Sequence, residues 1–254
     1  MVNGIFAVEL ALYLVLLPPT IYNFWTHRWS GFLAWYGLAL FCGIRIAAGA
    51  IGVTDSDSIT ASILVGIGTS PLILSVDGLV HEARTHRNPC QKSSKYAGWA
   101  VIYIITGLMA AAIALTVTGA MDIYKGDPKP NSVTHWKAGS ALMVVAWFLE
   151  IAWASFSLLP SQADPAAPNY RMGSTLLHGS LVALVFVGIR AIYALVATAT
   201  QSADLSPVYG TTAVRVVLIF LPEAIAAIVI LVSGFVSNSQ RAAPNQKDCG
   251  DVAV

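Results

Sequence analysis

Charge is scarce in this chain: of 254 residues only 11% are Asp, Glu, Lys or Arg, fourteen basic against thirteen acidic. A chain so close to neutral lacks the basic surface that nucleic-acid binding draws on, so no nucleic-acid partner is expected. Cysteine is nearly missing too. Cys42, Cys90 and Cys249 lie far apart without CxxC spacing, which speaks against a disulfide framework or a thiolate metal site. There is no Walker sequence, no Gly-rich dinucleotide fingerprint, no nucleophile elbow, no histidine box and no pair of Asp-rich motifs. Nucleotide-driven pumping, flavin chemistry, di-iron oxidation and Mg-pyrophosphate prenyl transfer are therefore all disfavoured. Apolar sequence fills the space: 56% of residues are hydrophobic and the mean hydropathy is +0.69, the composition of a membrane protein.

Crossing about 30 Å of hydrocarbon takes roughly 20 helical residues. Apolar runs of that length occur near 5–23, 31–52, 58–80, 97–121, 138–160, 174–199 and 211–236, which predicts an all-α bundle of seven transmembrane helices. The first run has no basic residue before it and carries Glu9 inside it, so it reads as a retained span rather than a signal peptide. Residues 237–254 read as a polar, disordered tail. Outside the spans, Arg28, Arg84, Arg87, Lys92, Lys95, Arg171, Arg241 and Lys247 fall on one side, and Lys125, Lys129 and Lys137 on the other. The positive-inside rule then places the C-terminus in the cytosol and the N-terminus in the lumen, with the endoplasmic reticulum as the expected membrane.

An internal repeat is also expected. The second span contains FCGIRIAAGAI and the sixth FVGIRAIYALV; the first and fifth each carry a glutamate and end in Leu-Leu-Pro; the third and seventh contain Pro71 and Pro222. The pattern is a parallel 3+1+3 arrangement, with a site expected between the halves.

Charged residues inside the spans are the functional signal. Glu9, Arg45, Asp77, Glu150, His178, Arg190, Arg215 and Glu223 would each cost at least about 2.5–3.5 kcal/mol facing lipid, so they are expected to point inward. Counting from the ends of the apolar runs places the three glutamates and three arginines between the midplane and the lumenal third. Asp77 and His178, with His81 and Glu82, fall at the cytosolic mouth. Glu150 has Trp147 three residues before it and Trp153 three after, on neighbouring parts of one helical face. A carboxyl between indoles is poorly solvated, a setting that suits a proton donor. Glu223 follows Pro222, where the backbone ladder is broken, and Tyr13 lies one turn from Glu9, within reach of its carboxyl. Asp77 and His81, four apart, could serve a proton relay or one side of a metal site, or be tied to the basic loop that follows. The aromatic residues Trp25, Trp29, Tyr96, Trp99 and Trp136 sit where interfacial belts belong, and Gly49, Gly52, Gly66 and Gly68 have close-packing spacings.

Three segments carry a family resemblance: FCGIRIAAGAIGV (41–53), ILVGIGTSPLILSVDGLVHEARTHRN (63–88) and VRVVLIFLPEAIAAIVILVSG (214–234). The chain resembles a fungal family of seven-pass integral membrane proteins that includes the membrane-bound terpene cyclase of ascofuranone biosynthesis. The resemblance implies acid-initiated cyclisation of an epoxide or alkene on a meroterpenoid or other isoprenoid chain. It further implies a lipophilic substrate entering from the bilayer, no metal or organic cofactor, and other enzymes of a secondary-metabolic pathway as neighbours. Glu150, Glu223 and Glu9 are the candidate acids. Trp147, Trp153, Arg45, Arg190, Arg215, Tyr13 and Asp77 are the candidate substrate-binding and orienting residues. The competing class is a seven-pass transporter or lipid translocator, which would use the same buried charges as a substrate or proton path.

Overall fold

The computed structural model describes residues 2–27, 29–55, 58–89, 92–125, 129–201, 205 and 211–241. Arg28, Asp57, Cys90, Asp204, Lys247, Cys249 and the end of the expected tail, 242–254, lie outside the described residues. All seven expected spans are helices, α1 (Val2–His27), α2 (Phe32–Thr54), α3 (Ile59–Ile67) continued by α4 (Thr69–Arg87), α5 (Lys92–Tyr124), α6 (Ser132–Ser157), α7 (Tyr170–Thr200), and α8 (Thr212–Val214) continued by a π-helical segment (Arg215–Phe220) and α9 (Leu221–Ser239). No strand occurs among the described residues. In lipid each backbone polar group must find its partner within its own segment, and long helices meet that demand.

The helices run beyond the apolar windows. The third span continues to Arg87 rather than stopping at 80, the fifth occupies Ser132–Ser157 rather than 138–160, and α9 reaches Ser239, so residues 237–239 are helical and not part of a disordered tail. Arg241 follows directly and donates through Nη1 to the Thr26 carbonyl at 2.7 Å. Polar turns at the ends of these helices are as helical as the core, but hydropathy is blind to them.

Two spans are interrupted, each at a proline. Pro71 has no N–H to give the Ile67 carbonyl, and the third span breaks beside it at Gly68. Pro222 likewise cannot bond the Leu218 carbonyl. The turn before it opens to π geometry, with the Leu221 N–H reaching the Val216 carbonyl.

The third span is the most enclosed, with 61% of its most apolar window buried. α4 packs between α2 and α7; α1 covers α2, α9 covers α7 and meets α1, and α6 joins α7 to α5. The α2–α4 crossing is close. A Cβ on Gly37 would meet Ser75 backbone, and one on Gly78 would overlap Ala34 backbone, so small residues set this interface. Ser75 Oγ donates to the Ala34 carbonyl at 2.8 Å across it. The outer surface is apolar, with Val15, Phe148, Val185 and Val217 all more than half exposed, as a lipid-facing surface must be.

Candidate functional site

Six helices contribute to a buried ion cluster near mid-height. Glu223 lies seven residues before Ile230 on α9, in its first turn. It receives Arg45 of α2 through Nη2, Arg190 of α7 through Nε at 2.9 Å, and the hydroxyl of Thr69 of α4 at 3.2 Å. Arg45 Nη1 is also 3.7 Å from Glu9 Oε2 on α1, and Arg190 Nη2 donates to the Val65 carbonyl of α3 at 3.3 Å. Measured along their helices, Glu9, Arg45, Thr69, Arg190 and Glu223 lie roughly 7–11 residues from the end of the bundle where Val2 sits. That is on the order of 10–17 Å at 1.5 Å per residue. The two interruptions place these groups. Thr69 follows the break at Gly68, and Glu223 follows the π segment. Gly68 leaves room for Arg45, whose Nε would be 3.3 Å from a Cβ there.

Arg215 joins this cluster differently. It stacks over the Phe6 ring at 4.8 Å and lies within electrostatic reach of Glu9. Among the described residues no carboxylate comes within ion-pair distance of it. Tyr13 does not bond Glu9 as expected: its hydroxyl is buried with no hydrogen-bond partner among the described residues, and its ring packs edge-on against Phe41 at 5.3 Å. One turn along α1 brings a side chain to the right face, but the carboxyl of Glu9 is drawn towards Arg45 instead.

The second site is a pair of acids. Asp77 of α4 and Glu150 of α6 are 1% and 0% exposed, and their carboxyls lie within electrostatic reach of each other. No hydrogen-bond donor among the described residues reaches any of their four oxygens. A carboxylate only accepts, so a bond between two carboxyls requires a proton on one of them. The placement corrects two expectations. Asp77 is not at the mouth of the bundle and is not tied to the basic loop, because α4 runs ten residues beyond it. Glu150, expected between the midplane and the lumenal third, lies instead towards the end of the bundle away from Val2, because α6 ends only seven residues after it. The two corrections bring the acids to one level.

The indoles flanking Glu150 are engaged elsewhere. Trp147 donates its Nε1–H to the Leu184 carbonyl at 2.8 Å, and its ring lies against Gly188 of α7. Trp153 carries the Arg84 guanidinium on its face at 4.1 Å. Arg84 also donates to Ser157 Oγ at 2.7 Å, so Trp153 belongs to the basic end of the bundle. His81 packs on Trp99 at 5.0 Å. His178 is exposed, bonding the Ser174 carbonyl at 2.7 Å, against the expectation that it points inward. Of the expected belt, Trp25, Trp29, Tyr96 and Trp99 are exposed, whereas Trp136 is half-buried.

Trp136 lines a cleft between α3, α5, α6 and α7 that encloses about 540 Å³ of empty space, its open side included. Ser62, Gly66, Thr116, Ser140 and Met143 form its walls, and Arg190 lies at its inner end. Gly66 is no packing glycine, since a Cβ there would meet nothing within 4 Å.

Residues 1–240 match the family model described as Domain of unknown function (DUF7702). The chain belongs to this family. No curated protein and no solved structure matches the chain, so its chemistry rests on the geometry of the chain itself. Within this family member, charges inside spans located Glu9, Arg45, Glu223 and Arg190 from sequence. Thr69, Val65 and Phe6 were missed, though the Gly-Thr-Ser-Pro run of residues 68–71 marks where a helix opens and a hydroxyl becomes available. Also missed was a lock at the other end, where the fully buried His27 reaches Glu82 through Nδ1 at 2.7 Å and the Gly234 carbonyl through Nε2 at 3.2 Å.

Proposed function

We propose that this protein is an integral membrane enzyme that cyclises an isoprenoid chain by protonating it, the reaction of a terpene cyclase. The observation that carries this reading is the Asp77–Glu150 pair, two acids that share a buried site where no cation among the described residues comes within ion-pair distance. Of the three glutamates considered as donors, Glu223 is the poorest. Two arginines and a hydroxyl hold it as a carboxylate. Glu9 faces Arg45. Glu150 keeps a proton within reach.

In the proposed reaction the pair gives its proton to the oxygen of an epoxide or to the terminal carbon of an alkene. A carbon centre becomes electron-poor, and the chain's own double bonds attack it to close the ring. The negative charge left on the pair then faces the positive charge on the chain, in a water-poor setting where such stabilisation is strong. Loss of a proton from the final cation back to the pair restores it and yields an isomer of the substrate. A lipophilic substrate would enter from the bilayer, in a membrane such as the endoplasmic reticulum, with the His27 end of the bundle in the cytosol.

The test is product analysis with microsomes expressing the protein, incubated with a prenylated aromatic bearing a terminal epoxide. A cyclised product of unchanged mass, lost in Glu150→Gln, supports the reading. If Glu150→Gln still forms the product while Glu223→Gln abolishes it and remains folded, the donor assignment fails.

A second reading, transport of a small molecule or lipid, draws on a different observation. The third and seventh spans are both interrupted beside the ion cluster, as substrate-binding helices of transporters are. It predicts uptake into proteoliposomes that Glu150→Gln alters without any change in the substrate's structure.

A further inference from the structure

The ion cluster does not balance. Arg45, Arg190 and Arg215 carry three positive charges, and among the described residues only Glu9 and Glu223 answer them there. An excess cation in a low-dielectric bundle is costly, and a bound anion removes the cost. Arg190 is the member that an anion can reach. It is 2% exposed, and what it exposes is the inner end of the cleft. Two of its five N–H groups are used by Glu223 and the Val65 carbonyl, and among the described residues no further hydrogen bond takes the other three.

The shape of the cleft suits a slender amphiphile. It begins near the helix ends, where Tyr124 is the last residue of α5 and Trp136 lies in the first turns of α6. It ends at Arg190, ten residues inside the end of α7, a depth on the order of 15 Å. Between mouth and floor the walls combine apolar Ile63 and Met143 with the Ser62 and Ser140 hydroxyls. These hydroxyls already donate to their own helices, at 3.2 Å and 3.1 Å. Of the wall groups, the Thr116 hydroxyl has no hydrogen-bond partner among the described residues, and the charged donor, Arg190, is at the bottom.

We propose that this cleft binds an amphipathic molecule with an anionic head, a carboxylate or a phosphate, seated on Arg190 with its tail towards Trp136. The site is separate from the Asp77–Glu150 pair and stands whether or not the protein is a cyclase.

The experiment is equilibrium binding of radiolabelled decanoate, decyl phosphate and decanol to the protein in lipid nanodiscs, with empty nanodiscs subtracted. At least one of the two anions should bind saturably and about tenfold or more tighter than decanol, and the tighter of the two names the head group. Gly66→Leu puts a side chain into the open space of the cleft without touching the ion cluster. It should weaken anion binding about tenfold or more at an unchanged melting temperature, and Ala194→Leu, from the α7 wall, provides the same block if Gly66→Leu does not accumulate. Decanol binding as tightly as both anions, or anion binding that survives a folded blocking variant, overturns the proposal.

Discussion

Two buried acidic sites in one bundle have been given opposite surroundings. Glu223 and Glu150 are both fully buried glutamates on spanning helices. Glu223 receives two guanidinium groups and a hydroxyl, whereas Glu150, among the described residues, has another acid, Asp77, as its charged neighbour. Burial alone therefore says little about what a carboxyl can do. The partner decides: cations make Glu223 a fixed negative charge that ties α2, α4, α7 and α9 together, and a second carboxyl gives Glu150 the neighbour with which the proposed reaction would share a proton.

The contrast can be broken from the strongly paired side first. Glu223→Ala leaves Arg45 and Arg190 buried without their shared anion, and loss of one partner from such a group costs about 3–5 kcal/mol. Thermal unfolding in detergent should show the largest destabilisation of any single change considered, or a protein that does not accumulate. Thr69→Val removes only the hydroxyl, a hydrogen bond to a charged group worth about 1.5–3 kcal/mol, and should lower the melting temperature less while leaving the protein assembled. Glu150→Gln preserves shape and sets an amide donor beside the Asp77 carboxyl, so its unfolding free energy should stay within about 1 kcal/mol of the parent. Its turnover should nevertheless fall by on the order of 10²-fold or more. The smallest additional effect belongs to the double variant Asp77→Asn with Glu150→Gln. Because the two acids act as one unit, it should lose no more turnover than Glu150→Gln alone. A further loss of equal size would mean two independent roles.

The difference between these sites also explains what was legible beforehand. Glu223 announced itself: a glutamate next to a proline in an apolar span marks an opened helix, and arginines embedded in the second and sixth spans had to find acids. The Asp77–Glu150 pair stayed hidden because depth was counted from apolar windows. The helical turns at 81–87 and 132–137 are polar, so the windows set Asp77 too near one end and Glu150 too far from it. Which of the carboxyls meets another is a matter of tertiary packing, which spacing along a single helix does not encode. The flanking tryptophans misled for the same reason, since Trp147 turns to Gly188 and Trp153 to Arg84. The expected repeat holds only in part. Arg45 and Arg190 occupy matching spans and converge on one glutamate, but Glu9 lies in the first two turns after Val2 while Glu150 lies near the far end of α6. The paired Leu-Leu-Pro segments differ as well, with Pro18 inside α1 and Pro160 beyond α6.

The most direct measurement is infrared difference spectroscopy of the carboxyl stretch in nanodiscs at neutral pH, comparing the parent with Glu150→Gln, Asp77→Asn and Thr69→Val. The account predicts a protonated-carboxyl band in the parent that vanishes in Glu150→Gln or Asp77→Asn and survives in Thr69→Val, where the Glu223 environment alone is altered. Absence of that band from the parent, with both acids ionised, would contradict it.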